Sequence, residues 1–201
     1  RNLSQMNKHF NITRGGYESA IANLRRYGIR LYATFVFGYD EDTAESARAA
    51  ARFAIEHRFF IAAFNHLTPF PGTPLYERLH HEGRLTHPQW WLDETYRYNM
   101  VPFRPRRMSA AEVREACLAA RRDFYRTGSI LRRGFDAVNG AGPFMFANFF
   151  VINLMHRREI GTRDRHPGPS VAGVRLRAAA RAGPRTHRAA LRHPHPRHRA
   201  A

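Results

Sequence analysis

Two apolar runs limit what this chain folds into more than any other feature. Ile29 to Phe37 is rich in β-branched and aromatic residues, and its second half shows no polar alternation. Phe59 to Leu67 repeats the pattern. A strand with one wet face alternates, whereas a run without alternation suits a strand buried on both faces, as in parallel sheets. Helix patterns surround both runs. Tyr17, Ala20, Ile21 and Leu24 fall at i, i+3, i+4 and i+7, and Gly28 follows as a stop. Between the runs, Ala47, Ala50, Ala51 and Ala54 mark the inner face of a second helix, with Asp42 three residues before Glu45 as a capping-box-like start. Leu75 to His81 reads as a short helix ending near Gly83. The order helix, strand, helix, strand, helix predicts an α/β fold with parallel strands and right-handed crossovers. A βα-barrel and a doubly wound sheet both satisfy it.

Downstream the pattern changes. Thr86 to Arg107 reads as irregular and aromatic, with Trp90, Trp91, Tyr96, Tyr98 and Phe103. The tryptophans read as a packing anchor, with the lining of a substrate mouth as the other reading. Ser109 and Glu112 form a capping box, followed by a helical face of Val113, Ala116, Cys117, Ala120 and Phe124. A last apolar helix is predicted over Phe144 to Met155. It is shorter than the ~20 residues of a membrane span and is interrupted by Asn148 and Asn153. With no apolar leader after Arg1, the expectation is a soluble, cytoplasmic chain.

Charge is unevenly placed. The chain has 33 Lys+Arg against 16 Asp+Glu, and residues 157–201 hold 12 of the arginines with only Glu159 and Asp164. That tail cannot bury enough apolar surface to offset ordering entropy, so it is expected to be disordered. Arginine is used almost to the exclusion of lysine, Lys8 being the exception, which reads as composition bias more than as a nucleic-acid surface. A basic protein that binds nucleic acid or anionic surfaces through the tail is the rival functional class. Against it, the tail lacks the aromatics that stack on bases. The one cysteine, Cys117, excludes an internal disulfide and a cysteine-only cluster site, and reads as a small buried hydrophobe. His80 and His81 are adjacent and point different ways on a helix, so no metal site is expected.

Two stretches carry chemistry. Thr34-Phe35-Val36-Phe37-Gly38-Tyr39-Asp40-Glu41 is a buried strand ending in glycine and an acidic turn. Gly38 lets another group approach the backbone closely, and Val36 offers an apolar surface to a flat ring. Asn65-His66-Leu67-Thr68-Pro69-Phe70-Pro71-Gly72-Thr73-Pro74 is a stiff loop at a strand's C-terminal end, suited to a ligand wall. Each also has an ordinary reading, as a strand-to-helix turn and a structural corner.

Together with Gly28-Ile29, Leu75-Tyr76 and Glu82-Gly83-Arg84-Leu85, these stretches resemble the fifth and sixth βα units of radical S-adenosylmethionine (SAM) enzymes. Within them, the similarity is to the group that carries an N-terminal cobalamin-binding domain. Leu3 to Lys8 resembles the stretch after the fourth strand. Trp90-Trp91, Phe103-Arg104-Pro105 and the helix running to Arg133 resemble the group's C-terminal extension. The resemblance implies a partial radical-SAM (TIM-like) barrel over 1–85, a helical extension over 86–156 and a disordered basic tail over 157–201. It implies SAM cleavage or cobalamin-dependent methyl transfer on a small-molecule or lipid-like substrate. It also implies SAM-adenine contacts at Thr34, Val36, Gly38, Glu41, Asn65 and Leu67, with Lys8 near the SAM carboxylate. Thr34 departs from the family's first glycine. The family's Cys-x-x-x-Cys-x-x-Cys loop, which holds a 4Fe–4S cluster, has no counterpart here, nor has the cobalamin domain. The chain is therefore expected to be a fragment, inactive by itself, whose intact parent supplies the N-terminal half of the barrel. An inactive remnant is the further alternative.

Overall fold

The computed structural model describes residues 16–97 and 99–162. Lys8, the Leu3–Lys8 stretch and the tail from 163 lie outside the described residues.

Helix α1 spans Gly16–Arg26. It ends as the sequence predicts. Gly28 takes φ of 73°, its N–H donates to Arg25 O at 2.9 Å, and the Ile29 N–H reaches back to Leu24 O at 3.1 Å. This is the paired C-terminal motif that needs a left-handed residue. Strand β1 follows at Tyr32–Phe37, then helix α2 at Ala44–Glu56 and strand β2 at Ile61–His66. The strands pair in parallel, from Tyr32 opposite Ile61 to Phe37 opposite His66. The start of α2 differs from the expectation. Thr43 is the N-cap, and its N–H donates to Ser46 Oγ at 3.1 Å. Asp42 instead turns back and accepts the N–H groups of Gly38 and Tyr39, both at 3.0 Å. A short carboxylate satisfies a tight turn more readily than a helix start one residue further on.

Helix α3, Pro74–His81, begins with Pro74 in its first turn and Thr73 as N-cap, whose Oγ accepts the Tyr76 N–H at 3.3 Å. The aromatic segment forms a single 3₁₀ turn at Trp90–Leu92 and an antiparallel bridge between Leu85 and Phe103. Trp90 is buried and donates its indole N–H to Pro69 O at 3.1 Å, so it pins the proline loop in place. Helix α4, Ala110–Phe124, starts with the predicted Ser109–Glu112 capping box. Helix α5 is Thr127–Gly134 and helix α6 is Pro143–Thr162. Helix α6 runs past Met155 because its end finds partners: His156 stacks on Tyr125 at 5.3 Å and Ile160 packs against the core. No helix among the described residues is long and apolar enough to cross a membrane.

The core lies between one face of the sheet and helices α2 and α4. Ala47, Ala51 and Ala54 are almost fully buried, so small side chains let α2 approach α4 and the sheet closely. Phe35 stacks on Phe64 at 5.2 Å, and Phe64 meets Phe124 at 5.7 Å. Phe64 is 0% exposed, and truncating such a ring costs about 3–5 kcal/mol. A second junction is polar. Arg133, also 0% exposed, donates to Phe59 O at 2.9 Å, Phe60 O at 3.3 Å, Phe124 O at 2.9 Å and Asn153 Oδ1 at 3.1 Å. Its guanidinium lies 3.7 Å from the Phe124 ring centre. Burial pushes its pKa down to about 9, still above neutrality, so a charged side chain ties α4, α5 and α6 to the entry of β2.

Candidate functional site

The alternation of the strands sorts the sequence candidates. Ala33, Phe35 and Phe37 of β1, with Ala62 and Phe64 of β2, point toward α2 and α4. Tyr32, Thr34 and Val36, with Ile61, Ala63 and Asn65, take the opposite face. That face is the less covered one: Tyr32 is 66% exposed, Thr34 is exposed, and Val36 and Asn65 are half-buried. Val36 and Asn65 are direct partners in the register, so an apolar side chain and an amide sit side by side.

The remaining candidates lie elsewhere. Leu67 is buried in the core, and its Cβ is 3.6 Å from where a Cβ on Gly38 would stand. The same added carbon would meet Phe103 at 3.3 Å and Val113 at 3.6 Å, and Gly38 has φ of 110°. Glycine is required there, but the closely approaching groups are protein side chains, and its N–H is taken by Asp42. Glu41 is ion-paired with Arg107 at 2.8 Å. Beside it, the buried Asp40 receives Arg78 at 2.6 Å and Arg84 at 2.9 Å, with Arg106 at 3.7 Å. Burial raises the pKa of the Asp40 carboxyl, but the Arg84 and Arg78 hydrogen bonds outweigh it and hold the group below its usual range. This cluster ties the β1 turn to α3 and to the segment before α4.

The sequence reading missed Arg121 and Tyr125. Arg121 lies in the last turn of α4 and Tyr125 is its C-cap, four residues on, and both reach the outer edge of β2. The Tyr125 hydroxyl donates to Ala62 O at 3.0 Å and accepts the Ala62 N–H at 3.4 Å. Arg121 Nε donates to Phe64 O at 3.0 Å, and its Nη2 donates to Asn65 Oδ1 at 3.2 Å. The spacing fits because four helical residues rise about 6 Å and two strand residues span about 6.6 Å. Burial pushes the Tyr125 phenol up to about 12, so it keeps the proton it donates. A visible hint was that Arg121 and Tyr125 flank the apolar stripe at Ala120 and Phe124 with the same i, i+4 spacing. Arg121, Asn65 and Glu159 line an open pocket of about 100 Å³ together with Tyr32, Tyr125 and His156.

A half-buried histidine and a buried cysteine adjoin the site. His66 Nε2 has no hydrogen-bond partner, and burial, then the Arg121 charge, lower its pKa, which favours a neutral ring. Burial pushes the Cys117 thiol up to about 11, so it is no thiolate ligand at neutral pH. Among the described residues there is no group of three or more His, Cys, Asp or Glu that could hold a metal ion.

The chain is similar to known methyltransferases. It is 32% identical over 131 residues to the bacteriochlorophyllide d C-12(1)-methyltransferase of Chlorobaculum tepidum, covering 65% of this chain and 27% of that protein. It is 33% identical over 67 residues to the hopanoid C-2 methylase of Rhodopseudomonas palustris, covering 33% of this chain and 13% of the relative. It is 28% identical over 74 residues to the bacteriochlorophyllide d C-8(2)-methyltransferase of Chlorobaculum tepidum, covering 37% and 16%. No protein-family model and no solved structure matches the chain. The described residues thus form an α/β unit, with a two-stranded parallel sheet, related at low identity to about a quarter of the length of a methyltransferase.

Proposed function

We propose that this chain is the C-terminal part of a radical SAM methyltransferase, containing the last two βα units of its barrel and the helices that close it. The observation that carries the reading is the asymmetry of the sheet. The outer edge of β2 is occupied by side chains of α4, as befits a final strand. Among the described residues no strand pairs with the other edge of β1, which opens on an apolar groove of about 540 Å³, lined by Ile21, Leu24, Phe35, Phe53 and Phe59. Earlier strands of a barrel would pair there. The similarity to methyltransferases supports the same reading.

In this reading, the Val36–Asn65 pair forms part of a wall for the adenine of SAM. Val36 gives a flat ring an apolar surface and Asn65 gives its edge a polar partner, which is the donor set such a ring needs. Thr34 lies beside them, Gly38 and Leu67 support the strand ends from within, and Glu41 holds the turn through Arg107. Lys8 is assigned to the SAM carboxylate on resemblance alone. SAM, when bound, supplies the methyl or adenosyl group. The residues present do not fit an iron–sulfur cluster, since the only thiol is protonated and buried. In the proposed parent both that cluster and cobalamin belong to the remainder of the protein, as does selection of the small-molecule or lipid-like substrate.

Two experiments test the reading. The coding sequence upstream of Arg1 is expected to continue in frame into Cys-x-x-x-Cys-x-x-Cys; a stop codon before any such motif overturns it. Calorimetry with S-adenosylhomocysteine is expected to show binding that weakens at least about tenfold, or 1.4 kcal/mol, in Val36→Asp. Equal binding by the two proteins would remove Val36 from the site.

A further inference from the structure

We infer that Arg121 is a positioning residue that fixes Asn65 as a hydrogen-bond donor, making this wall selective for a ring nitrogen acceptor. The inference rests on the adenine-wall reading. An asparagine amide presents a carbonyl on one side and an NH₂ on the other, and a free side chain can turn either toward a ligand. Here the choice is decided by chemistry. Arg121 Nη2 lies 3.2 Å from the Asn65 amide, and a guanidinium can only donate. The facing atom is therefore Oδ1. The NH₂ is left for the half-covered face that Asn65 shares with Val36 and for the adjoining cavity. Asn65 is bonded to Arg121 through Oδ1, and the acceptor that lines the same cavity is the Glu159 carboxylate.

Arg121 is itself held rigidly enough for this role. Its Nε donates to Phe64 O at 3.0 Å, so the guanidinium straddles the edge of β2 with one nitrogen on the backbone and another on Asn65. Released, Asn65 could turn its carbonyl to a ligand and accept instead of donate. Adenine has ring nitrogens that only accept, at positions 1, 3 and 7, and an amino group that only donates. A fixed NH₂ donor recognises one of those ring nitrogens and rejects a ring with a C–H there. Arg121 does not touch the ligand in this scheme and is not a catalytic residue.

The test compares the 1-deaza, 3-deaza and 7-deaza forms of S-adenosylhomocysteine with the parent compound. Calorimetry on the purified chain serves, with circular dichroism to confirm folding of each variant. In the wild type, one deaza compound is expected to bind about fivefold or more weakly than the parent. In Asn65→Ala all four compounds should bind alike, and in Arg121→Met the preference should shrink because the amide is free to turn. Arg121→Lys, which can still donate to Asn65, should restore part of it. If the parent compound binds while no deaza compound is penalised, or if the penalty survives in Asn65→Ala, the inference is overturned and the adenine wall stands. If the parent compound does not bind the wild type at all, the adenine-wall reading falls and this one with it. An unchanged preference in folded Arg121→Met also overturns the inference; if that variant fails to fold, Arg121→Gln, which offers Asn65 both a donor and an acceptor, takes its place.

Discussion

The two edges of the small sheet are treated in opposite ways. Along β2 the outward N–H and C=O of Ala62 and the C=O of Phe64 are already bonded to Tyr125 and Arg121, so another strand could pair there only by displacing these side chains. Along β1 the outward backbone groups belong to Tyr32, Thr34 and Val36, and an apolar groove lies beside them. An unprotected strand edge invites pairing. Among the described residues, this sheet therefore has a finished side and an unfinished one. The site residues Val36 and Asn65 lie on the strand pair between them.

The finished side should be the more fragile to mutation. Arg133→Met has the largest expected effect. It leaves Phe59 O and Asn153 Oδ1 without their donor, at about 1–3 kcal/mol each for a buried unsatisfied group, while Phe60 O and Phe124 O keep Asn153 Nδ2 and Ser129 Oγ. A loss of at least about 3 kcal/mol in a urea titration is expected, and a loss below half of that would show that the junction is not what holds β2.

Tyr125→Phe comes next. It strips the Ala62 N–H and C=O of their partner and should cost about 1–3 kcal/mol. It should also raise self-association in sedimentation velocity, because a second strand edge becomes available. Thr34→Pro is the matching change on the unfinished side. Its backbone N–H faces the free edge, where proline is tolerated, so the cost should stay below about 1 kcal/mol. If the two substitutions cost the same, the contrast between the edges is wrong.

The smallest effect is a pH dependence. The His66 pKa is lowered in the folded chain, first by burial and then by Arg121. The unfolded chain therefore binds the proton more readily, and stability is lost as pH falls below the unfolded value of about 6.5 toward the folded one. His66→Gln should flatten that slope. An unchanged slope would show that His66 is wetter than its buried, unpartnered Nε2 implies.

Much of this was legible from residue order. The strands at Tyr32–Phe37 and Ile61–His66 fall inside the two apolar runs, and Gly28 and the Ser109–Glu112 box end and begin helices as expected. These are local decisions, set by β-branching, a left-handed glycine and side chains that cap nearby N–H groups. The helix start at Thr43 was misread because Asp42 had two local uses, and the backbone path of the preceding turn chose between them. The site was legible in part. Val36 and Asn65 were named by sequence, but nothing in it revealed that they are register partners, because register is set by pairing over a separation of 29 positions.

Residue order alone fixes where the strands and most helices lie, and that a single thiol is too few for a cysteine-only cluster. Only the tertiary structure decided which edge of the sheet is closed and which way Asn65 faces. Both depend on Arg121 and Tyr125, which reach β2 from more than 50 positions away along the chain. Side chains cap a distant backbone only after the helix that bears them has docked. Docking is driven by burial of apolar surface that includes Phe64 and Phe124, and such burial is blind to which polar groups it brings together.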